Sequence, residues 1–196
     1  MSDEIARLTA ALERSGGASS DFDLNPGLVP QGRVLRPAAV LVGVLQGRSG
    51  AEVILTKRAS HLKHHPGQIA FPGGKQEKTD LTLEATALRE AQEEIGLAPR
   101  LVRPLGRLPA HETVTGFLMT PILAEVAQFL PSRDPGEVEE VFTVPLSHLL
   151  DRGRYSIQRR LWLDQWRSYY AVPWGPYYIW GATARILRGL AERVAG

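Results

Sequence analysis

Residues 71–97, FPGGKQEKTDLTLEATALREAQEEIGL, decide how the rest of the chain is read. The opening Pro72-Gly73-Gly74 is a turn sequence, because glycine reaches backbone angles that other residues avoid and lets the chain approach a ligand closely. The stretch then predicts one helix from Thr82 to Ile95, with Thr82 as N-cap and Gly96 placed to end it in a left-handed conformation. Projected at about 100° per residue, Leu81, Leu88, Ala91 and Ile95 share an apolar side. Glu90, Glu93 and Glu94 gather nearly opposite, in a single turn. Like charges at this spacing repel, no lysine alternates with them, and anions in the last helical turn oppose the macrodipole. A solvated face satisfies none of these costs. A hard divalent cation, which takes carboxylate oxygens, reverses them all.

This stretch resembles the box of the Nudix family, whose second half reads R-E-U-x-E-E-x-G-U with U aliphatic. Arg89 to Leu97 fits that half, with Ala91 a small residue at the first U. The first half differs: five residues after Gly74 comes Asp80 where the family has Glu, and eight residues rather than seven then lead to Arg89. The resemblance implies Mg2+ or Mn2+ held by Glu90 and Glu94 with Glu93 assisting. It implies that Arg89 pairs with the box carboxylates. Asp80 is expected to orient that arginine, with Glu77 or Glu84 as substitutes.

Immediately upstream, ILTKRASHLKHHPGQIAFPGG, residues 54–74, resembles the element that precedes the box in the coenzyme A pyrophosphatases of this family. Leu55, Thr56, Arg58, Ala59, Gly67 and Phe71 to Gly74 keep its spacing, while Lys63 stands where the pattern has Arg. Lys63 keeps the charge and loses the bidentate fork. Arg58, Lys63, Gly67, Gly73 and Gly74 are therefore the expected substrate-binding residues, with the basic side chains facing phosphates. His61, His64 and His65 suggest a metal site of their own, but a magnesium site prefers oxygen.

Further out, Ala38–Leu45 is a continuous apolar run that predicts a strand covered on both faces, and Glu52–Arg58 a second strand. Leu101–Pro109 and Phe117–Ala127 predict two more, joined by residues 111–116. After a loop at 131–136, the segment from Glu137 to Phe142 resembles the family's distal acidic segment. Glu137 is expected to complete the metal shell or take a proton from water, with Glu139 and Glu140 as alternatives. Whether Glu93 or Glu137 is the general base is open at this level. Residues 145–150 predict a short helix, 155–164 and 167–172 a last pair of strands, and 181–194 an amphipathic helix. Aromatics concentrate between Trp162 and Trp180, as core, interface or a stacking site.

Among 196 residues, 43% are hydrophobic and 22% charged, ordinary for one globular domain. Ser2–Arg14 predicts an amphipathic helix and residues 15–36 an irregular connection, so 1–36 is expected to pack on a Nudix domain spanning 37–196. With no cysteine, disulfides, thiolate catalysis and zinc–cysteine sites are excluded. A net charge of +2 gives no reason to expect nucleic acid or membrane as partners, and a small molecule is expected instead. The amino terminus shows no signal pattern, making the cytoplasm the default expectation, with homodimerisation an open alternative. The fold implied is an α/β/α sandwich with a mixed sheet between helices. The activity implied is hydrolysis of the diphosphate bond of coenzyme A. Another nucleoside diphosphate derivative (ADP-ribose, NADH, a dinucleotide) or a non-catalytic sensor is the alternative.

Overall fold

A computed structural model of the chain describes residues 3–14, 16–162 and 164–196. Helix α1 (Asp3–Leu12) leads through a short strand β1 (Ser19–Ser20) to the long hairpin β2 (Arg36–Gly47) and β3 (Gly50–Arg58). Ser2, where the sequence places the start of the first helix, lies outside the described residues. Two short strands follow, β4 (Ile69–Ala70) and β5 (Gly73–Lys75), and then helix α2 (Leu83–Ile95). Strands β6 (Val102–Arg107), β7 (His111–Glu112), β8 (Phe117–Val126) and β9 (Val138–Pro145) complete the main sheet. A short helix α3 (Leu146–Leu150), a hairpin β10 (Ser156–Trp162) and β11 (Gln165–Ala171), and helix α4 (Gly181–Ala195) close the chain.

The sheet is mixed. Its centre is the parallel pair β2 and β8, from Arg36 opposite Phe117 to Leu45 opposite Val126. Strand β3 lies antiparallel to β2 on the other side and pairs in turn with β9. The unbroken apolar run of β2 is explained by its position: alternate side chains enter two different cores. Val40, Val42 and Val44 join Val53 and Leu55 with Ile5 and Leu8 of α1, Leu146 of α3, and Leu187 and Leu190 of α4. Ala39 and Leu41 point the other way, onto Ala87, Ala91 and Ile95 of α2. Helices therefore cover both faces, as the sequence predicts. The first 36 residues share the larger core through α1.

Two readings change. The connection at 15–36 is less irregular than expected, because Ser19 and Ser20 pair in parallel with His111 and Glu112. His111, wholly buried, lies between Ser19 Oγ at 2.9 Å and Asp21 Oδ1 at 3.0 Å, and so pins this arm to β7. The last pair of strands does form, but as a separate two-stranded sheet. Among the described residues no helix is long and apolar enough to cross a membrane.

Candidate active site

The site begins where β2 changes partner. Its outer half pairs with β3 from Val44 to Gly47, whereas its inner half pairs with β5, Ala39 opposite Gly74 and Val40 opposite Gly73. The Pro-Gly-Gly segment thus lies in a gap between sheet and helix that has no room for side chains. A Cβ on Gly73, whose φ is 154°, would stand 2.4 Å from the Ala39 carbonyl oxygen and 2.6 Å from Val40 Cα. One on Gly74 would stand 2.5 Å from Glu90 Oε1. The two glycines let backbone meet the acidic helix directly.

Helix α2 is held at both ends as its sequence predicts. Thr82 Oγ1 accepts from the Ala85 amide at 3.1 Å. Gly96 adopts φ 70°, its amide donating to Gln92 O at 3.0 Å while Leu97 donates to Ala91 O at 3.2 Å. Its burial, however, is turned toward the glutamates. Thr86, Ala87, Ala91, Glu94 and Ile95 form the buried side, whereas Leu81 is 92% exposed ahead of the first turn. The expectation that Glu94 lies opposite the apolar face is corrected here. Strand β5 packs against that flank of the helix and encloses it.

Consequently the three box glutamates occupy different surroundings. Glu94 is 4% exposed, and its Oε2 accepts one hydrogen bond, from the Gly73 amide at 3.2 Å. Burial pushes its pKa up to about 8, aided by the charges of Glu90 and Glu137 and opposed by the Gly73 bond and Arg58. Burial also raises Glu90, although Arg89 at 2.9 Å works against the shift. Glu93 extends outward, its side chain 59% exposed, and pairs with Arg89 at 2.9 Å across one helical turn.

Arg89 is the organiser of the turn. Asp80 grips it twice, Oδ1 to Nε at 3.0 Å and Oδ2 to Nη2 at 2.9 Å, and the same guanidinium reaches Glu90, Glu93 and the Lys75 carbonyl. That fork, together with the Glu77 amide on Oδ2, holds the Asp80 carboxyl down at about 2. The lengthened first half of the box therefore still delivers Asp80 to the arginine. Glu84, the substitute, is engaged elsewhere, by Arg107 at 2.6 and 2.7 Å.

Glu137 follows the loop at 131–136, which does more than connect two strands. Ser132 and Asp134 donate their amides to the Ile95 and Glu94 carbonyls, capping the carboxy-terminal end of α2. Asp134 Oδ1 accepts from the Gly136 amide at 2.8 Å, closing a turn, and the Ala59 amide bonds Glu137 O at 2.8 Å. Glu137 is thereby fixed beside both α2 and β3, near enough for its charge to act on Glu90 and Glu94. An Asp two residues before a Gly was the available sign of this turn. The alternatives are spent: Glu139 binds Lys57 at 2.6 Å, and Glu140 accepts from the Tyr177 hydroxyl at 2.6 Å.

Of the expected substrate residues, Arg58 is half-buried next to this corner, its charge felt by Glu94. Lys63 lies exposed on the following loop, which Gly67 turns back at φ 68° to bond Arg58 O. His61, His64 and His65 are exposed there too. Among the described residues no three histidine or acidic side chains converge tightly enough to ligate one ion. The chemistry of the donors nevertheless fits a hard cation: carboxylate oxygens, two of them raised by burial, with Asp80 meeting much of the arginine's charge. A recess of about 640 Å3 elsewhere, lined by Arg14, Ser19, Leu108 and Arg193, touches none of these carboxylates.

Comparison with known proteins bears on the fold and the family. The NUDIX domain family profile matches residues 34–165. An uncharacterized Nudix hydrolase NudL of Salmonella newport is 42% identical over 168 residues, covering 81% of this chain and 83% of that protein, and its counterpart in Salmonella dublin is equally similar. Among solved structures, a MutT/nudix family protein from Enterococcus faecalis aligns over 100% of this chain and 75% of its own with a TM-score of 0.52 at 13% identity. The Nudix hydrolase RenU of M. smegmatis aligns over 62% of this chain and 84% of its own with a TM-score of 0.50 at 22% identity.

Proposed function

The chain belongs to the Nudix hydrolase family, and from that premise we propose that it hydrolyses the diphosphate bond of coenzyme A. The products are adenosine 3′,5′-bisphosphate and 4′-phosphopantetheine. The observation that carries the reading is the contact between two elements. Strand β3 and its loop, which resemble the coenzyme A pyrophosphatase element, are hydrogen-bonded through Ala59 to Glu137, and Arg58 at the end of β3 lies close enough to Glu94 for its charge to act there.

Glu90 and Glu94 would hold Mg2+ or Mn2+, with Glu93 or Glu137 completing the set. Bound there, the ion supplies charge neutralisation for the diphosphate and a lowered pKa for water. The protein's own groups do the rest. Arg58 and Lys63 bind phosphate oxygens, and the Gly73–Gly74 backbone leaves space for them. Arg89, locked by Asp80, fixes Glu90 and Glu93 in place. Glu137 takes the proton from the attacking water, a role supported by its position facing Glu90 and Glu94, while Glu93 is tied to Arg89.

Initial rates on coenzyme A, ADP-ribose, NADH, a dinucleoside polyphosphate and a nucleoside triphosphate, each with Mg2+ and with Mn2+, test the assignment. Coenzyme A is expected to give the highest kcat/KM. Better turnover of any other substrate overturns the specificity, and no metal-dependent turnover of any overturns catalysis in favour of a ligand sensor.

A further inference from the structure

The modest net charge of the chain hides a segregation. Residues 151–171 carry five arginines against two aspartates, a net +3, and the remaining 18 basic and 19 acidic residues leave the rest at −1. They comprise a short 3-10 turn at Arg152–Arg154 and the β10–β11 hairpin, which stands outside the main sheet and carries Arg159, Arg160 and Arg167 against Asp164, a net +2. Every residue of β10 is exposed. So are large apolar side chains that the core does not use: Ile157 at 55%, Leu161 at 52%, Trp162 at 42% and Trp166 at 59%.

The register shows how they are arranged. Leu161 is paired with Trp166 and shares its face, with Ile157 four residues back along β10 on that same face. Trp162, paired with Gln165, lies on the other face, so the outer end of the hairpin is apolar on both. Arg159 and Arg160 follow directly behind, one on each face. Arg159 lies over the Trp166 ring at 5.6 Å, and Arg160 is set directly opposite Arg167, a like-charge pairing that costs stability in an isolated hairpin. Indole and aliphatic groups ahead of a girdle of arginines match the headgroup boundary of an anionic bilayer, where tryptophan settles and arginine meets phosphate.

We propose that the β10–β11 hairpin is a docking surface for anionic lipid membranes. Asp164 at the turn keeps the insertion shallow, at headgroup depth. A second copy of the chain is a poor occupant, because a symmetric hairpin-on-hairpin contact would set one net +2 hairpin against another. Nucleic acid would use the arginines and tryptophans but leave Ile157 and Leu161 without a role.

Co-sedimentation of the full-length protein with vesicles of phosphatidylcholine alone, or of phosphatidylcholine with phosphatidylglycerol, tests this. The protein should sediment only with the phosphatidylglycerol vesicles, and less as salt is added. Arg159→Gln with Arg160→Gln should lower partitioning on the order of 30-fold, and Leu161→Ser with Trp166→Ser should abolish it. Unchanged melting temperatures show that both variants fold. Three results overturn the proposal: no sedimentation at any phosphatidylglycerol fraction, variants that bind as well as the parent, or vesicle-independent binding to a single-stranded oligonucleotide. Self-association abolished by Leu161→Ser with Trp166→Ser, without vesicle binding, likewise reassigns the surface to a second copy.

Discussion

The α2–β5 corner and the β10–β11 hairpin both concentrate charge of one sign, yet they do so in opposite settings. At the corner, Glu94 is enclosed by backbone and helix, with a single amide donor for its two oxygens. On the hairpin, Arg159 and Arg160 extend into solvent. Buried charge is penalised by desolvation, whereas exposed charge is screened, and at the corner burial raises the Glu94 pKa to about 8. The corner was readable from spacing because its residues fall in a motif of fixed spacing. The hairpin shows itself only through exposure.

The largest effect expected from this contrast is on Glu94. Glu94→Gln should lower the metal-dependent hydrolysis rate by about 10²-fold or more if the residue anchors the ion. The same substitution should leave the metal-free protein no less stable at pH 8, and this separates it from a core lesion. The sign follows from the shift. An unfolded glutamate releases its proton near 4.5, whereas folded Glu94 keeps it to about 8. Between those values the folded state binds the extra proton, so metal-free stability should fall as pH rises, by at most about 1.4 kcal/mol per pH unit. Above about 8 the loss is complete and the slope vanishes. Urea titrations at pH 5, 6.5 and 8 measure it. A slope that survives in Glu94→Gln would assign the proton to another group. Mn2+ should raise the melting temperature more at pH 8 than at pH 5, since it competes with that proton.

Next comes the backbone that closes the corner. Gly73→Ala would force a methyl carbon against the Ala39 carbonyl and Val40 Cα, and should cost roughly 2–4 kcal/mol in urea unfolding. Gly67→Ala is the control: its φ of 68° is strained for alanine, but no atom lies within 4 Å of the added Cβ, so about 1 kcal/mol is expected. Equal costs at the two positions would mean that φ alone, and not the tight packing of β5 on β2, makes Gly73 necessary.

Most of the corner was legible because its signals are local. Thr82 and Gly96 announce the ends of α2 by chemistry that needs no tertiary context. Asp80, despite the altered spacing, reaches Arg89 because the turn before α2 is free to absorb one residue. What was misread depends on contacts distant in sequence. Periodicity located an apolar stripe through Leu81 and Leu88 but could not see that β5 would cover the adjoining flank and bury Glu94. Likewise the 131–136 loop could be recognised as a loop, but not as the cap of a helix thirty-odd residues earlier. The strands of the last hairpin were located, but the sequence does not say which sheet they join, because pairing partners leave no mark on a short alternating segment.

The smallest expected effect is the most direct test of the contrast. If the hairpin's apolar residues exist for something outside the chain, removing one should barely alter folding. Leu161→Ser, at a side chain 52% exposed, should change unfolding free energy by no more than about 0.5 kcal/mol. Ile95→Ala, at the end of α2 and wholly buried, should cost about 2–5 kcal/mol in the same assay. Convergence of the two values would mean that Leu161 packs against the domain in solution, and the hairpin would then be part of the core's support and not a surface held in reserve. A clear gap between them leaves Leu161 in water with no folding role, a cost that a second surface can offset.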